Sequence, residues 1–392
     1  MDTRNERINR ALNSLRIELP SWGFANTGTR FGKYLQPEAA TCVEDKFADA
    51  AEVHALTGAC PTLALHVEWD LPNGVGDVAS IRALEHKYGI RSGSINPNLF
   101  ERQEYKFGSI CNPDPAVRRI AVDHLLESVR IARELRSRDI SLWIADGSNY
   151  PGTQSMARRI GWMEEALAAT HAALDPGQRM LIEYKPFEPA FYHTDIADWG
   201  MALLLARRAG PQAVVLVDTG HHYQAQNIEQ IVVWLLREGI LGGFHFNDRR
   251  YADDDLTLGS IDPYQVFRIF QEILSAGDQA ADVAYMIDQS HNLKGKMEAM
   301  VQSVCTAQEL FARAALVDRA ELAELQDSCR LVEAEECFRR AFFTDVGPQV
   351  RAWRQEHGLP EDPLAALRAG SYVERIRSQR AAANARAVSS YA

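Results

Sequence analysis

A chain of 392 residues with 46% hydrophobic and 24% charged content can bury a large core, which excludes an intrinsically disordered protein. Its net charge of −11 and pI near 5.5 argue against a nucleic-acid partner, because polyphosphates are bound by clustered Lys and Arg. The six cysteines (Cys42, Cys60, Cys111, Cys305, Cys329, Cys337) lack CxxC spacing, so neither a thiolate zinc site nor a disulfide framework is expected.

In chain order, the first twenty residues, MDTRNERINRALNSLRIELP, are charged and carry no signal-peptide core. Residues 1–20 are assigned to an N-terminal helix. No later run reaches the ~18 apolar residues of a membrane span, so no membrane partner is expected and the expected location is the cytoplasm.

From residue 21 onward, short apolar runs alternate with helix-length amphipathic stretches, the pattern of a parallel sheet wound with helices. Eight strands are predicted: SWGFA (21–25), TLALHV (62–67), GIRSGSI (89–95), SLWIAD (141–146), MLIEYK (180–185), AVVLVD (213–218), GGFHFN (242–247) and VAYMID (283–288). Helices are predicted between them at 44–57, 77–88, 116–138, 154–174, 195–208, 227–238 and 262–276. In 116–138, Val117, Ala121, Leu125, Val129 and Ala132 form one stripe at spacings of four and three. Eight strands with intervening helices predict an α/β fold, a (β/α)8 TIM barrel over 21–300. An open doubly wound sheet is the alternative, but no GxGxxG follows an early strand. Residues 301–392 are rich in Ala, Arg and Glu and read as a C-terminal helical extension at subunit contacts.

Barrel enzymes build their sites at the C-terminal strand ends, and the acids and histidines of this chain cluster there. Strand five ends with Glu183 and Lys185, which share a face. Strand six ends with Asp218, followed by Gly220 and His221; strand seven contains His245; strand eight ends with Asp288. Buried carboxylates without a counter-charge are costly, so a divalent cation is the simplest neutraliser for Glu183, Asp218, His245 and Asp288. Oxygen-rich ligands with one imidazole suit Mn2+, Co2+ or Mg2+. The loop NDRRYADDDLTLGS adds Asp253, Asp254 and Asp255, which with His221 could hold a second cation. Single strand-end acids more often form turns or caps, and an acid triplet is more often a solvated loop; the coincidence at four successive strands is what favours metal. At the earlier strand ends, His66, Trp69 and Trp143 are candidates for contact with substrate, Phe31 is a weaker one, and Asp70 and Asp146 stand nearby.

The segments LIEYKPFEP (181–189), VDTGHH (217–222), HFNDRRYADDD (245–255) and IDQSHN (287–292) together resemble the L-rhamnose isomerase family of the Pseudomonas type, a branch of the xylose-isomerase-like barrels. The resemblance covers most of residues 20–300. It implies a homotetramer that interconverts L-rhamnose and L-rhamnulose, and also D-allose and D-psicose, with two Mn2+ per subunit. By the same match Glu183, Asp218, His245 and Asp288 bind the structural cation, and His221, Asp253 and Asp255 bind the catalytic one. Lys185 then stands near substrate O1 and His66 near the ring oxygen, with Trp69 and Trp143 lining the pocket. Xylose isomerases proper carry a His-Asp-x-Asp motif, whereas here His66 is followed by Val67, Glu68 and Trp69.

The expected mechanism is a metal-assisted hydride shift, with Lys185 stabilising charge at O1. The rival enediol route needs a free base such as Glu183 or Asp288. Two other functions remain in view: a ketose 3-epimerase on the same barrel, and a non-catalytic sugar-binding protein.

Overall fold

The computed structural model describes residues 3–26, 34–148, 152–188, 192–248, 256–291 and 293–386. Eight parallel strands close into a barrel in chain order: β1 (Glu18–Pro20), β2 (Thr62–His66), β3 (Arg91–Asn96), β4 (Asp139–Trp143), β5 (Arg179–Glu183), β6 (Ala213–Asp218), β7 (Leu241–Phe246) and β8 (Ala284–Ile287). Closure pairs Glu18 of β1 with both Thr62 of β2 and Met286 of β8. The expected TIM barrel is therefore present, followed by helices through to the C-terminal part.

One strand differs from its expected place. Residues 21–25 are not a strand: Ser21–Phe24 form a 3-10 turn, closed by the Ala25 N–H donating to the Trp22 carbonyl. The strand precedes it, and so falls before residue 21, the expected start of the barrel. Its ladder ends at Pro20, which has no N–H to donate. Its first residue, Glu18, faces polar partners on β3, so an apolar-run criterion slides the strand towards Trp22 and Phe24.

The helices fall close to expectation. Pro115–Leu135 starts with Asp114 accepting from the Ala116 N–H and with proline in its first turn, where the missing N–H costs nothing. Its buried face is broader than the predicted stripe, taking in His124, Ser128, Ile131 and Leu135 beside Ala121, Leu125, Val129 and Ala132. Val43–Thr57 ends at Gly58 with φ +70°, a left-handed conformation that favours glycine.

After the barrel, Lys296–Ala314 packs on Arg4–Ser14, Val43–Thr57 and Pro263–Ala276. The last helix, Tyr372–Asn384, docks through a buried Arg380–Asp49 ion pair (2.8 Å), with Tyr372 Oη donating to the same carboxylate. Three short strands, Gly147–Ser148, Phe187–Glu188 and Tyr192–Thr194, form an antiparallel sheet from the chain that follows β4 and β5. Among the described residues, no helix is long and apolar enough to cross a membrane.

Candidate active site

The stagger of the barrel brings the strand-end acids together. Glu183 pairs in register with Leu216, two residues before Asp218; Asp218 pairs with His245; His245 pairs with Met286, two residues before Asp288. Side chains two apart on a strand share a face, so each step around the wall adds one inward ligand. One ligand atom from each of Glu183, Asp218, His245 and Asp288 lies within 4.8 Å of the others.

His245 Nδ1 stands 3.2 Å from Glu183 Oε2, 3.4 Å from Asp288 Oδ2 and 4.0 Å from Asp218 Oδ2. Burial opposes a charged ring there, yet the Glu183 carboxylate, with Asp288, holds the His245 pKa well above its usual value. Burial also opposes an ionised Glu183, but His245 and His221 hold that carboxyl well below the usual range. His245 Nδ1 is buried and makes no hydrogen bond of good geometry. Without a cation a proton on this ring balances the facing acids; once that proton leaves, Nδ1 faces three carboxylates at ligand spacing, which fits a divalent cation bound by oxygen and one imidazole.

Two of the three carboxylates, Asp218 and Asp288, have their own orienting donors. Asn247 Nδ2 donates to both oxygens of Asp218 (3.0 and 3.1 Å), and the Gly220 N–H donates to Asp218 Oδ1 at 2.7 Å. The Trp22 indole donates to Asp288 Oδ1 at 2.8 Å. Such outer partners fix ligand geometry around a metal.

His221 adjoins the cluster, its Nδ1 3.1 Å from Glu183 Oε1 and 3.0 Å from the Tyr184 carbonyl, its Nε2 3.9 Å from Asp218 Oδ2. Its expected partners in a second cation site, Asp253 and Asp255, lie outside the described residues, as does Phe31. His222 turns elsewhere, its Nε2 2.6 Å from the Tyr184 hydroxyl.

The remaining wall is aromatic. The His66 ring centroid lies 4.7 Å from Trp22, 4.2 Å from Trp69 and 5.9 Å from Phe100, and Phe100 continues to Trp143 at 4.9 Å. Lys185 is buried, with Nζ 5.9 Å from the Trp143 ring centroid. Burial pushes the His66 pKa down to about 4 against the opposing pull of Asp70 and Asp288, so its imidazole is neutral near pH 7. Asp70 does not orient that ring directly. Its carboxylate accepts from the His66 backbone N–H, Ser21 Oγ and Lys46 Nζ. Asp146 is likewise structural, accepting from the Ser109 N–H and hydroxyl and the Cys111 N–H.

Three residues at this site escaped the sequence reading: Trp22, Phe100 and Asn247. Asn247 stood beside His245 in the HFND segment. Trp22 was hidden by reading its turn as strand, and Phe100 sits in an irregular segment without periodicity.

Comparison with known proteins bears on the fold and the family. Residues 60–276 match the model of the family described as "Xylose isomerase-like TIM barrel". The chain is 40% identical to a Rhizobium meliloti protein named "Probable sugar isomerase", over 93% of this chain and 86% of that protein. It is 39% identical to a protein of the same designation from Mesorhizobium japonicum, again over 93% and 86%. The solved structure of 3-keto-D-glucoside 4-epimerase from E. coli superposes with a TM-score of 0.55 at 12% identity, over 75% of this chain and 98% of that one, which is a likeness of fold. The chain belongs to the xylose isomerase-like TIM barrel family.

Proposed function

We propose that this chain is a metal-dependent aldose–ketose isomerase, converting L-rhamnose to L-rhamnulose and, secondarily, D-allose to D-psicose. The observation that carries the reading is the convergence of Glu183, Asp218, His245 and Asp288 beside a buried lysine and an aromatic wall. The sugar-isomerase designation of both relatives supports the class. The four motif segments support the substrate.

Glu183, Asp218, His245 and Asp288 hold one cation, with Mn2+ the first choice and Co2+ or Mg2+ the others. His221, with Asp253 and Asp255, holds a second. A cation at this place supplies Lewis-acid polarisation of a sugar carbonyl and eases ionisation of a neighbouring hydroxyl.

The rest falls to the chain's own side chains. Neutral His66 exchanges a proton with the ring oxygen during opening. Lys185 stabilises negative charge as it develops at O1, which finally takes up the proton lost by the O2 hydroxyl. Trp69, Phe100 and Trp143 cover the C–H faces of the sugar and exclude water, which protects a hydride passing directly from C2 to C1. The enediol route needs a free base. Asp288 has one oxygen on Trp22 and the other facing His245, which suits a ligand better than a base.

Copies of the chain associate as a homotetramer in this reading. Exposed Met156, Ile160, Leu204 and Trp234 on the barrel's outer helices support association.

The test is ketose formation by EDTA-stripped protein before and after adding Mn2+, on L-rhamnose, D-allose, D-xylose and D-psicose in parallel. Metal-dependent conversion strongest on L-rhamnose, with deuterium at C2 retained in the product, supports the full proposal. Conversion of D-psicose to another ketose without any aldose turnover replaces it with a 3-epimerase. Metal binding with no turnover of any of these sugars leaves a sugar-binding protein.

A further inference from the structure

We infer that Trp22 is a positioning residue for the cation, acting by locking the carboxylate of Asp288; the inference rests on the metal-site reading above. Asp288 is the most exposed of the four converging ligands, its side chain 19% accessible where those of Glu183, Asp218 and His245 are 4% or less. A carboxylate at the open edge of a site rotates unless something holds it. Trp22 Nε1 holds it, donating to Oδ1 at 2.8 Å while Oδ2 faces His245. An indole N–H donates and cannot accept, so it occupies one carboxylate oxygen and leaves the second for the ion.

The turn that carries Trp22 is built to keep it there. At Gly23 a Cβ would stand 2.9 Å from the Gln289 carbonyl and 2.8 Å from the Met300 methyl group, so only glycine lets this turn approach the chain that follows Asp288. On the other side of Trp22, Ser21 Oγ donates to Asp70 at 2.6 Å, and Asp70 is paired with buried Lys46 at 2.5 Å. The indole itself packs with Ala64, Met286 and Trp69 and meets the His66 ring at 66°. With its neighbours pinned on both sides, Trp22 reaches across 266 residues of sequence to one oxygen of one ligand.

The experiment titrates EDTA-stripped full-length protein with Mn2+ alone and reads free Mn2+ by electron paramagnetic resonance. Wild type, Trp22→Phe, Asp288→Ala and the double variant are compared. Removing an outer partner of a metal ligand costs on the order of 10–100-fold in affinity, and that loss is expected for Trp22→Phe. In the Asp288→Ala background the same substitution is expected to cost nothing further, because the carboxylate it orients is gone.

Trp22→Phe binding Mn2+ as tightly as wild type, or losing as much with Asp288 absent as with it present, would overturn the positioning role while the metal reading stands. Wild type without saturable Mn2+ binding overturns both. Thermal unfolding of the metal-free variants establishes that each is folded. If Trp22→Phe is not, Trp22→Met, which also lacks a donor, takes its place in the cycle.

Discussion

The two ends of this barrel hold the same kind of side chain in opposite circumstances. Strand β5 carries Arg179 at its start and Glu183 at its end, so one strand serves both. At the N-terminal end, Asp139 meets the Arg179 guanidinium through both oxygens, Oδ1 to Nε at 2.8 Å and Oδ2 to Nη2 at 3.0 Å, and Arg138 adds a contact at 3.0 Å. At the C-terminal mouth, Glu183 and Asp288 face imidazoles and an indole instead. The N-terminal end also opens into a cavity of about 700 Å3, lined in part by Glu18, Ser94, Arg138 and Asp139. Acids in the barrel wall are therefore common to both ends. What separates them is that one end neutralises its carboxylates with fixed guanidinium groups, and the other converges them on ligands suited to a cation.

The largest effect that sharpens this contrast is expected from Glu183→Gln. If the proposed cation supplies most of the charge stabilisation, loss of one ligand charge should lower kcat/KM by on the order of 10^3-fold or more. The metal-free variant should stay folded but unfold somewhat more easily than wild type, because Glu183 faces the His221 and His245 rings. Steady-state kinetics and thermal unfolding with EDTA check the two halves.

At the opposite end the pattern reverses. Asp139→Ala leaves Arg179 facing an empty place in a nearly buried site, and breaking such a pair costs about 3 kcal/mol. Denaturant unfolding should show that loss, while kcat/KM per folded molecule stays at the wild-type value. Asp139→Ala inactivating a stable protein would break the division of labour between the two ends.

How far the sequence revealed each end follows from the same physics. The mouth was legible because its acids interrupt apolar strands at four successive ends, and AVVLVD into TGHH is a change that composition alone does not produce. The barrel was legible from strands such as Ala213–Asp218, buried at every position. The N-terminal end was not. Nothing in the sequence singles out Arg179 and Asp139, because their value lies in a pairing between two strands that no spacing encodes. Trp22 was hidden for a related reason. Its hydrogen bond to Asp288 depends on a turn beginning after Pro20, and an apolar window cannot tell such a turn from a strand.

His66 tests the mouth by pH. Burial lowers its pKa from the usual 6.5 to about 4, so between these values the unfolded chain takes up a proton that the folded chain refuses. Stability contributed by the neutral ring is fully present above pH 6.5 and is lost as pH falls towards 4, by on the order of 3 kcal/mol. His66→Gln should lose that part of the acid sensitivity, measured as unfolding free energy across the same window. An equally steep acid limb in the variant would place the proton uptake on another group.

The smallest effect is expected from Glu18→Gln, which asks whether Glu18 belongs with Asp139 or stands apart. Its Oε1 accepts from the Ser94 N–H at 2.9 Å and the Ser94 hydroxyl at 2.6 Å, and Gly93 leaves room for it, since a Cβ there would overlap the carboxylate. Burial raises its pKa above the usual 4.5, the Ser94 bonds oppose the rise, and Asp139 adds to it. A carboxyl with a raised folded pKa contributes stability that is complete below its unfolded pKa and is lost as pH rises through the folded one. A glutamine keeps the acceptor for Ser94 and cannot ionise. The substitution should therefore change stability near pH 4 by less than about 1 kcal/mol and flatten the decline that wild type shows on going above that pH. A cost as large as that of Asp139→Ala would mean that Glu18 works as an ion within the arginine network, and the N-terminal end would then hold two paired acids in place of one.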